Sequence, residues 1–314
     1  MIRVEGLSKT FGRRAGALDA VDDVSFEIQP GAFVGYAGPN GAGKSTTVKL
    51  LTGILVPSSG TATVAGLIPW KQRRALNRRT GVVFGQRTQL WWDLPLADSF
   101  DLVHRLYRTR ADDHRTDLAE LVELLQLGPF LGRPVRALSL GQRMRGELAA
   151  AVLPRPDILF LDEPTIGLDV EAKATVREFL SERNREAGTT ILLTTHDTDD
   201  IVRLCERLLI IDRGRIISDG SVEALRERFG DRRRLTVDLE HDVTLQVAGA
   251  TTERAEGRRR WLTFSTTEIS APEMVARVMA AAEVRDLTLE PPDLEDVIRR
   301  IYRGEADGSP GSIR

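Results

Sequence analysis

Short apolar runs ("MIRV", "DDVSFEI", "AFVGYA") alternate with Gly and Pro over residues 2 to 36, which predicts an antiparallel strand layer leading into a central strand. Beyond the glycine-rich loop that follows, "KSTTVKLLTGIL" sets Val48, Leu51 and Leu55 at three- and four-residue spacings, the period of a helix packed on a sheet. From Leu96 to about Leu153, "ADSFDLVHRLYR", "DLAELVELLQL" and "RMRGELAAAVL" are separated by Gly and Pro; they predict an inserted helical subdomain. "DILFLD" and "TTILLTT" are strongly apolar, as strands covered on both faces are, and are assigned to a parallel core. "RLLIIDRGRIISDG" predicts a hairpin with Arg213-Gly214 at its turn.

Near "RERFGDRRR", residues 226 to 234, the composition shifts to charge. The strand pattern then restarts in "LTVDLE", "VTLQVA" and "WLTFS", followed by a helix in "PEMVARVMAAA" and a strand in "VRDLTLE". A separate small α+β domain is expected over 231–314. "PPDLEDVIRRIY" reads as its closing helix, capped by Asp293, ahead of a Gly-, Ser- and Pro-containing tail expected to be disordered.

A length of 314 residues allows a large α/β domain beside a small one. The 44 Lys and Arg nearly balance 46 Asp and Glu, for a net charge of -2, so no overall pull toward nucleic acid or anionic lipid is expected. The arginine runs at 232–234 and 258–260 are read as solvated faces. Cys205 is the only cysteine and is read as a packed helix residue; an internal disulfide and a cysteine metal cluster are excluded. No run of eighteen apolar residues occurs and "MIRVEGLSKTFG" reads as a strand, so a cytoplasmic protein without a membrane span is expected.

"GPNGAGKST" holds one of five lysines, among thirty-nine arginines. It satisfies G-x-x-x-x-G-K-[ST], in which backbone N–H groups wrap a phosphate, Lys44 neutralises its oxygens and Ser45 ligates Mg²⁺. The loop lies between a predicted strand and a predicted helix, so the helix N-terminus adds positive charge at the phosphates. Downstream, "ILFLDEP" ends a predicted buried strand with Asp162 and Glu163. Asp162 is expected in the Mg²⁺ shell and Glu163 beside the attacking water. In "LSLGQRMRGELAAAVL", Ser139 can cap a helix and Gly141 permits close approach of a phosphate. Spacing alone leaves open whether this is an ordinary capped helix or a second anion site.

With these residues in order, the stretch from 1 to about 230 resembles the ATPase subunits of ABC transporters. The resemblance implies an α/β fold, the P-loop NTPase ABC cassette: a mixed sheet core, an antiparallel β layer and a helical subdomain inserted at about 87–155. Gly38, Pro39, Asn40, Gly41, Ala42, Gly43, Lys44, Ser45 and Thr46 are similar to the Walker A loop, and "LFLDEP" to Walker B. "LSLGQ" is similar to the signature, "GLD" with Asp169 to the D-loop, and His196 in "LLTTHD" to the switch histidine. By this likeness two cassettes pair head to tail as a homodimer, so Ser139, Leu140, Gly141, Gln142 and Asp169 act on the partner's ATP. Gln86 resembles the Q-loop glutamine that reaches Mg²⁺ and water, with Gln89 as runner-up because the spacing from Gly81 is one residue longer than the family's. Phe11 stands where the family carries an adenine-stacking tyrosine and keeps the π-face; otherwise it is a strand core residue. Leu140 departs from the family's usual glycine, restricting φ and crowding the phosphate. It is read as a subfamily feature compatible with hydrolysis.

Trp91 and Trp92 follow the Q-loop and divide evenly between interface and core readings. "TQLWWDLP", "LSLGQRMR", "EPTIGLD" and the C-terminal "VRDLTLEPPDLEDVIRRIYRG" resemble bacterial sodium and drug exporter cassettes. In these the permease is a separate transmembrane chain that holds the ATPase at the cytoplasmic face of the membrane. The C-terminal domain is read as dimer-stabilising or regulatory. The competing readings are a non-transport cassette acting on ribosomes or nucleic acid and a purely structural nucleotide-binding module. A GTPase is disfavoured, since no N-K-x-D occurs.

Overall fold

A computed structural model describes residues 1–12, 17–85, 87–229, 232–290 and 294–302, and the chain divides into two compact units, Met1–Gly220 and Ser221–Arg314. The first begins with β1 (Ile2–Phe11), β2 (Leu18–Ile28), β3 (Phe33–Ala37), α1 (Lys44–Leu51), β4 (Ser59–Val64), α2 (Arg73–Leu76) and β5 (Thr80–Phe84). Three helices follow with no strand between them, α3 (Leu96–Tyr107), α4 (Ala111–Leu124) and α5 (Leu140–Val152). Then come β6 (Ile158–Asp162), α6 (Val170–Ala187), β7 (Thr190–Thr195), α7 (Thr198–Leu204), β8 (Arg207–Asp212) and β9 (Arg215–Ser221).

Alternation in β1 buries Ile2 and Val4 and exposes Arg3 and Glu5, so one face of the layer β2-β1-β4 packs inward. Its partners are antiparallel, with Ile2 opposite both Ile28 and Val64. The second sheet has the order β5-β6-β7-β3-β8-β9, and its first five strands run parallel. β3 and β7 are buried along their whole length, as strands inside a parallel sheet require. One core joins Ile2, Val24 and Ile28 of the layer to Tyr36, Phe160 and Ile211 of the parallel sheet, with Val48 of α1. At the expected turn between β8 and β9, Arg213 (φ 45°) and Gly214 (φ 81°) are both left-handed, the requirement of a two-residue type I′ connection. Cys205 is buried as the C-cap of α7, where burial raises its thiol pKa and nearby Asp200 adds to the shift.

The second unit consists of α8 (Val222–Phe229), β10 (Arg232–Leu239), β11 (Ala250–Glu256), β12 (Arg259–Ser265), α9 (Ala271–Ala281), β13 (Val284–Glu290) and α10 (Leu294–Tyr302). Its antiparallel sheet has the order β11-β12-β10-β13, and Leu235, Val237, Leu262 and Phe264 pack with Met274 and Val278 of α9. The division at Gly220 precedes the charge-rich stretch because α8 packs on α10. Asp293 and the C-terminal tail lie outside the described residues.

Two expectations are corrected here. "VTLQVA" forms no strand; Leu245 and Val247 are pinned in the core as irregular chain, and the strand is the polar "ATTERAE" of β11. The second arginine run is not a solvated face throughout. Alternation in β12 turns Arg260 inward beside Leu262 and Phe264, where Asp242 Oδ1 at 2.7 Å and the carbonyls of Gly257 and Val243, both at 2.5 Å, neutralise and satisfy it.

Candidate nucleotide site

Parallel strands deliver their C-terminal ends to one edge, the place where open α/β sheets present chemistry. The loop from β3 into α1 therefore lies at the same edge as Asp162 and Glu163 after β6 and His196 after β7. A Cβ on Gly38 would come within 2.5 Å of Ile211 O, so only glycine passes there. Gly43 caps α1 at φ 110°, and a Cβ on it would meet Ala20 O at 2.3 Å. The loop is also tied from outside: Gly214 N donates to Ala42 O at 3.0 Å, and Asp22 N donates to Gly214 O at 2.9 Å. α1 carries no acidic residue in its first turn, so its positive end is undiluted toward an anion.

Lys44 is only 6% exposed. Its Nζ donates to Gly38 O at 2.6 Å and Pro39 O at 3.2 Å and lies 3.8 Å from Glu163 Oε1. Burial lowers its pKa, and the charges of Glu163 and Asp162 oppose that shift. Ser45 Oγ at 3.1 Å and Thr194 Oγ1 at 2.6 Å both donate to Asp162 Oδ1. A hydroxyl and a carboxylate side by side are hard oxygen donors, a set that suits Mg²⁺. Glu163 is left-handed (φ 55°), and its N–H donates to Thr194 O at 2.9 Å. This bend leaves its Oε1 near Lys44 and 3.4 Å from His196 Nδ1. Asn40, Ser45, Asp162, Glu163 and His196 line one cleft of about 520 Å³.

Gln86 lies outside the described residues. Gln89 is engaged elsewhere, its Nε2 donating to Glu147 O at 3.1 Å. Phe11, 40% exposed at the end of β1, is not a core residue; Lys9 Nζ lies 5.3 Å from its ring centre. Ser139 and Gln142 form a reciprocal capping box at the start of α5, and Asp169 caps α6 by accepting from Ala172 N at 2.8 Å. Leu140 is turned toward Gly167, where a Cβ would come within 2.9 Å of Leu140 Cδ2. Among the described residues, Ser139, Leu140, Gly141, Gln142 and Asp169 do not line the cleft. Trp91 and Trp92 are 36% and 48% exposed.

Sequence reasoning missed two polar clusters beside this site. Asp200, fully buried, accepts from Arg177 Nε at 2.5 Å and from the hydroxyls of Thr165 and Thr195. Next to it, Asp197 accepts from Lys173 Nζ at 2.6 Å. Burial alone would raise the Asp197 pKa, but the Lys173 hydrogen bond and the Lys173 and Arg177 charges hold it below the usual carboxylate value. The second cluster centres on Glu147 of α5, buried among Ala and Leu. A carboxylate inside that apolar stretch was the available signal.

The ABC transporter family model matches residues 21–166. Over 227 residues the chain is 33% identical to the ABC transporter ATP-binding protein NatA of Bacillus subtilis, covering 72% of this chain and 92% of that protein. The chain belongs to the ABC transporter ATPases. This ABC ATPase is also 34% identical over 310 residues to the daunorubicin resistance ATP-binding protein DrrA2 of Streptomyces coeruleorubidus, 96% of this chain and 94% of that protein, so the likeness extends through the second unit. Among solved structures, its cassette is similar to a dimeric ATP-binding cassette in a post-hydrolysis state bound to ADP and Pi. The TM-score is 0.65 at 25% identity, covering 70% of this chain and 98% of that one.

Proposed function

We propose that this ABC ATPase powers an exporter whose transmembrane permease is a separate chain, with two copies of the ATPase pairing head to tail at the cytoplasmic face of the membrane. The observation that carries the reading is the meeting of Ser45, Asp162, Glu163 and His196 around one cleft beside a helix N-terminus, with Lys44 Nζ 3.8 Å from Glu163 Oε1. Lys44 and the backbone N–H groups of residues 40–46 hold the β- and γ-phosphates, and Phe11 offers its ring to adenine. Ser45 and Asp162, with Gln86, would hold Mg²⁺, which when bound neutralises phosphate charge. Glu163 orients the attacking water and accepts its proton, while His196 contacts the γ-phosphate. From the second copy, Ser139, Leu140, Gly141, Gln142 and Asp169 complete the site. Export is supported by relatives named for Nod factor export and daunorubicin resistance, and among the described residues no helix is long and apolar enough to cross a membrane.

The test is turnover by the full chain with Mg²⁺ and ATP across a range of protein concentrations. Specific activity should rise with concentration as copies pair, and Ser139→Ala should lower it by at least about tenfold. Specific activity independent of concentration and indifferent to Ser139→Ala would overturn the paired site. Recovery of a membrane protein with the ATPase from solubilised membranes tests the permease, whereas recovery of ribosomes or nucleic acid instead would refute the transport reading.

A further inference from the structure

Glu147 is 3% exposed, carries a carboxylate, and does not line the nucleotide cleft. It lies two turns along α5 from Leu140, so Leu140, Arg143 and Glu147 share one helix face. The segment that comes to this face is Thr88–Trp92. Thr88 Oγ1 donates to Glu147 Oε1, and Gln89 N donates to Glu147 Oε2 at 3.1 Å. In return Gln89 Nε2 donates to the Glu147 carbonyl at 3.1 Å, and Leu90 N donates to Thr88 Oγ1 at 3.1 Å. One turn back on α5, the Arg143 guanidinium sits 5.7 Å from the Trp92 ring centre. Gly146 lets the apolar side approach: a Cβ there would lie 2.9 Å from Leu96 Cδ1 and 3.3 Å from Leu90 Cδ1.

Burial raises the Glu147 pKa, and the hydrogen bonds from Thr88 and Gln89 and the Arg143 charge offset part of that shift. A buried carboxylate persists only where its oxygens are bonded, and the groups bonded to this one come from a loop 58 and 59 residues upstream. We propose that Glu147 is a positioning residue that clamps the Thr88–Trp92 segment onto the signature helix, so that Trp91, Trp92 and Ser139 move as one piece. Closure of the signature on nucleotide is then felt at the two exposed indoles. This coupling rests on the ATPase reading; the clamp itself does not.

Of the four tryptophans, Trp70 and Trp261 can be replaced by Phe so that only Trp91 and Trp92 report. In that full-length background, acrylamide quenching is measured with and without MgATP for Glu147, Glu147→Gln, Glu147→Leu and Thr88→Val. Without nucleotide, Glu147→Leu should raise the quenching constant about twofold as the segment is released. Thr88→Val, which removes one hydroxyl and leaves no cavity, should give a smaller rise. Glu147→Gln keeps an oxygen acceptor and should restore most of the protection. MgATP should change quenching in the parent and in Glu147→Gln but not in Glu147→Leu. Affinity for a fluorescent ATP analogue should stay within about twofold in every variant, because the phosphate loop is untouched.

Parent-like quenching in a folded Glu147→Leu or Thr88→Val protein would overturn the clamp, as would Glu147→Gln behaving like Glu147→Leu. A parent that fails to bind the analogue would count against the ATPase reading instead, and the nucleotide-free comparison would still decide the clamp.

Discussion

Lys44 holds two carbonyls of its own loop and lies 3.8 Å from Glu163. On the proposed reading Lys44→Ala removes the cation that meets the phosphates, so affinity for ATP should fall by at least about tenfold, or ~1.4 kcal/mol. Titration with a fluorescent ATP analogue reads it, and an unchanged affinity would contradict the phosphate-cradle assignment. Glu163→Gln keeps the size and position of the side chain but cannot take a proton. Its turnover should drop about hundredfold with nucleotide binding intact; normal turnover would remove Glu163 from the role of base. The two variants thus separate holding the triphosphate from cleaving it.

At the scale of elements, the Asp200 cluster ties the end of β7 to α6, whose N-cap is Asp169. Arg177→Met leaves a fully buried carboxylate without its cation, which should destabilise the chain by about 3–5 kcal/mol in denaturant unfolding; a loss below ~1 kcal/mol would mean the pair is not needed. Asp197 gives a pH-dependent counterpart. Its pKa is lowered in the folded state, so the unfolded chain binds the proton more readily and the Lys173 pairing is lost only as pH falls through that lowered value. Lys173→Met should therefore cost about 0.5–1 kcal/mol equally at about pH 7 and pH 5, with the difference shrinking only below the ordinary Asp pKa of about 3.9. A penalty that changes between about pH 7 and pH 5 would point to another group.

The strands behind the cleft were legible because burial on both faces leaves unbroken apolar runs, and the loop because two of its glycines sit where no Cβ fits. β11 was not, since an edge strand with almost every residue exposed has no apolar face to announce it. Glu147 and Asp200 were illegible as partners for another reason. Their meaning depends on which distant hydroxyls and guanidinium the fold brings to them, 59, 35 and 23 residues away.

At the scale of the molecule, the units Met1–Gly220 and Ser221–Arg314 each have a hydrophobic core of their own. Calorimetry of the full chain should resolve two unfolding transitions, and ATP with Mg²⁺ should raise only one, by about 2.7 kcal/mol of stabilisation at a hundredfold excess over Kd. A single transition would mean that the units unfold as one.

The β8–β9 turn has a consequence for speed. Gly214 is anchored to Ala42 on one side and Asp22 on the other, so the phosphate loop is shaped by neighbours that the ligand never touches. A receptor finished in advance asks no folding of itself when the guest arrives. Capture of a triphosphate should then run close to the rate of collision.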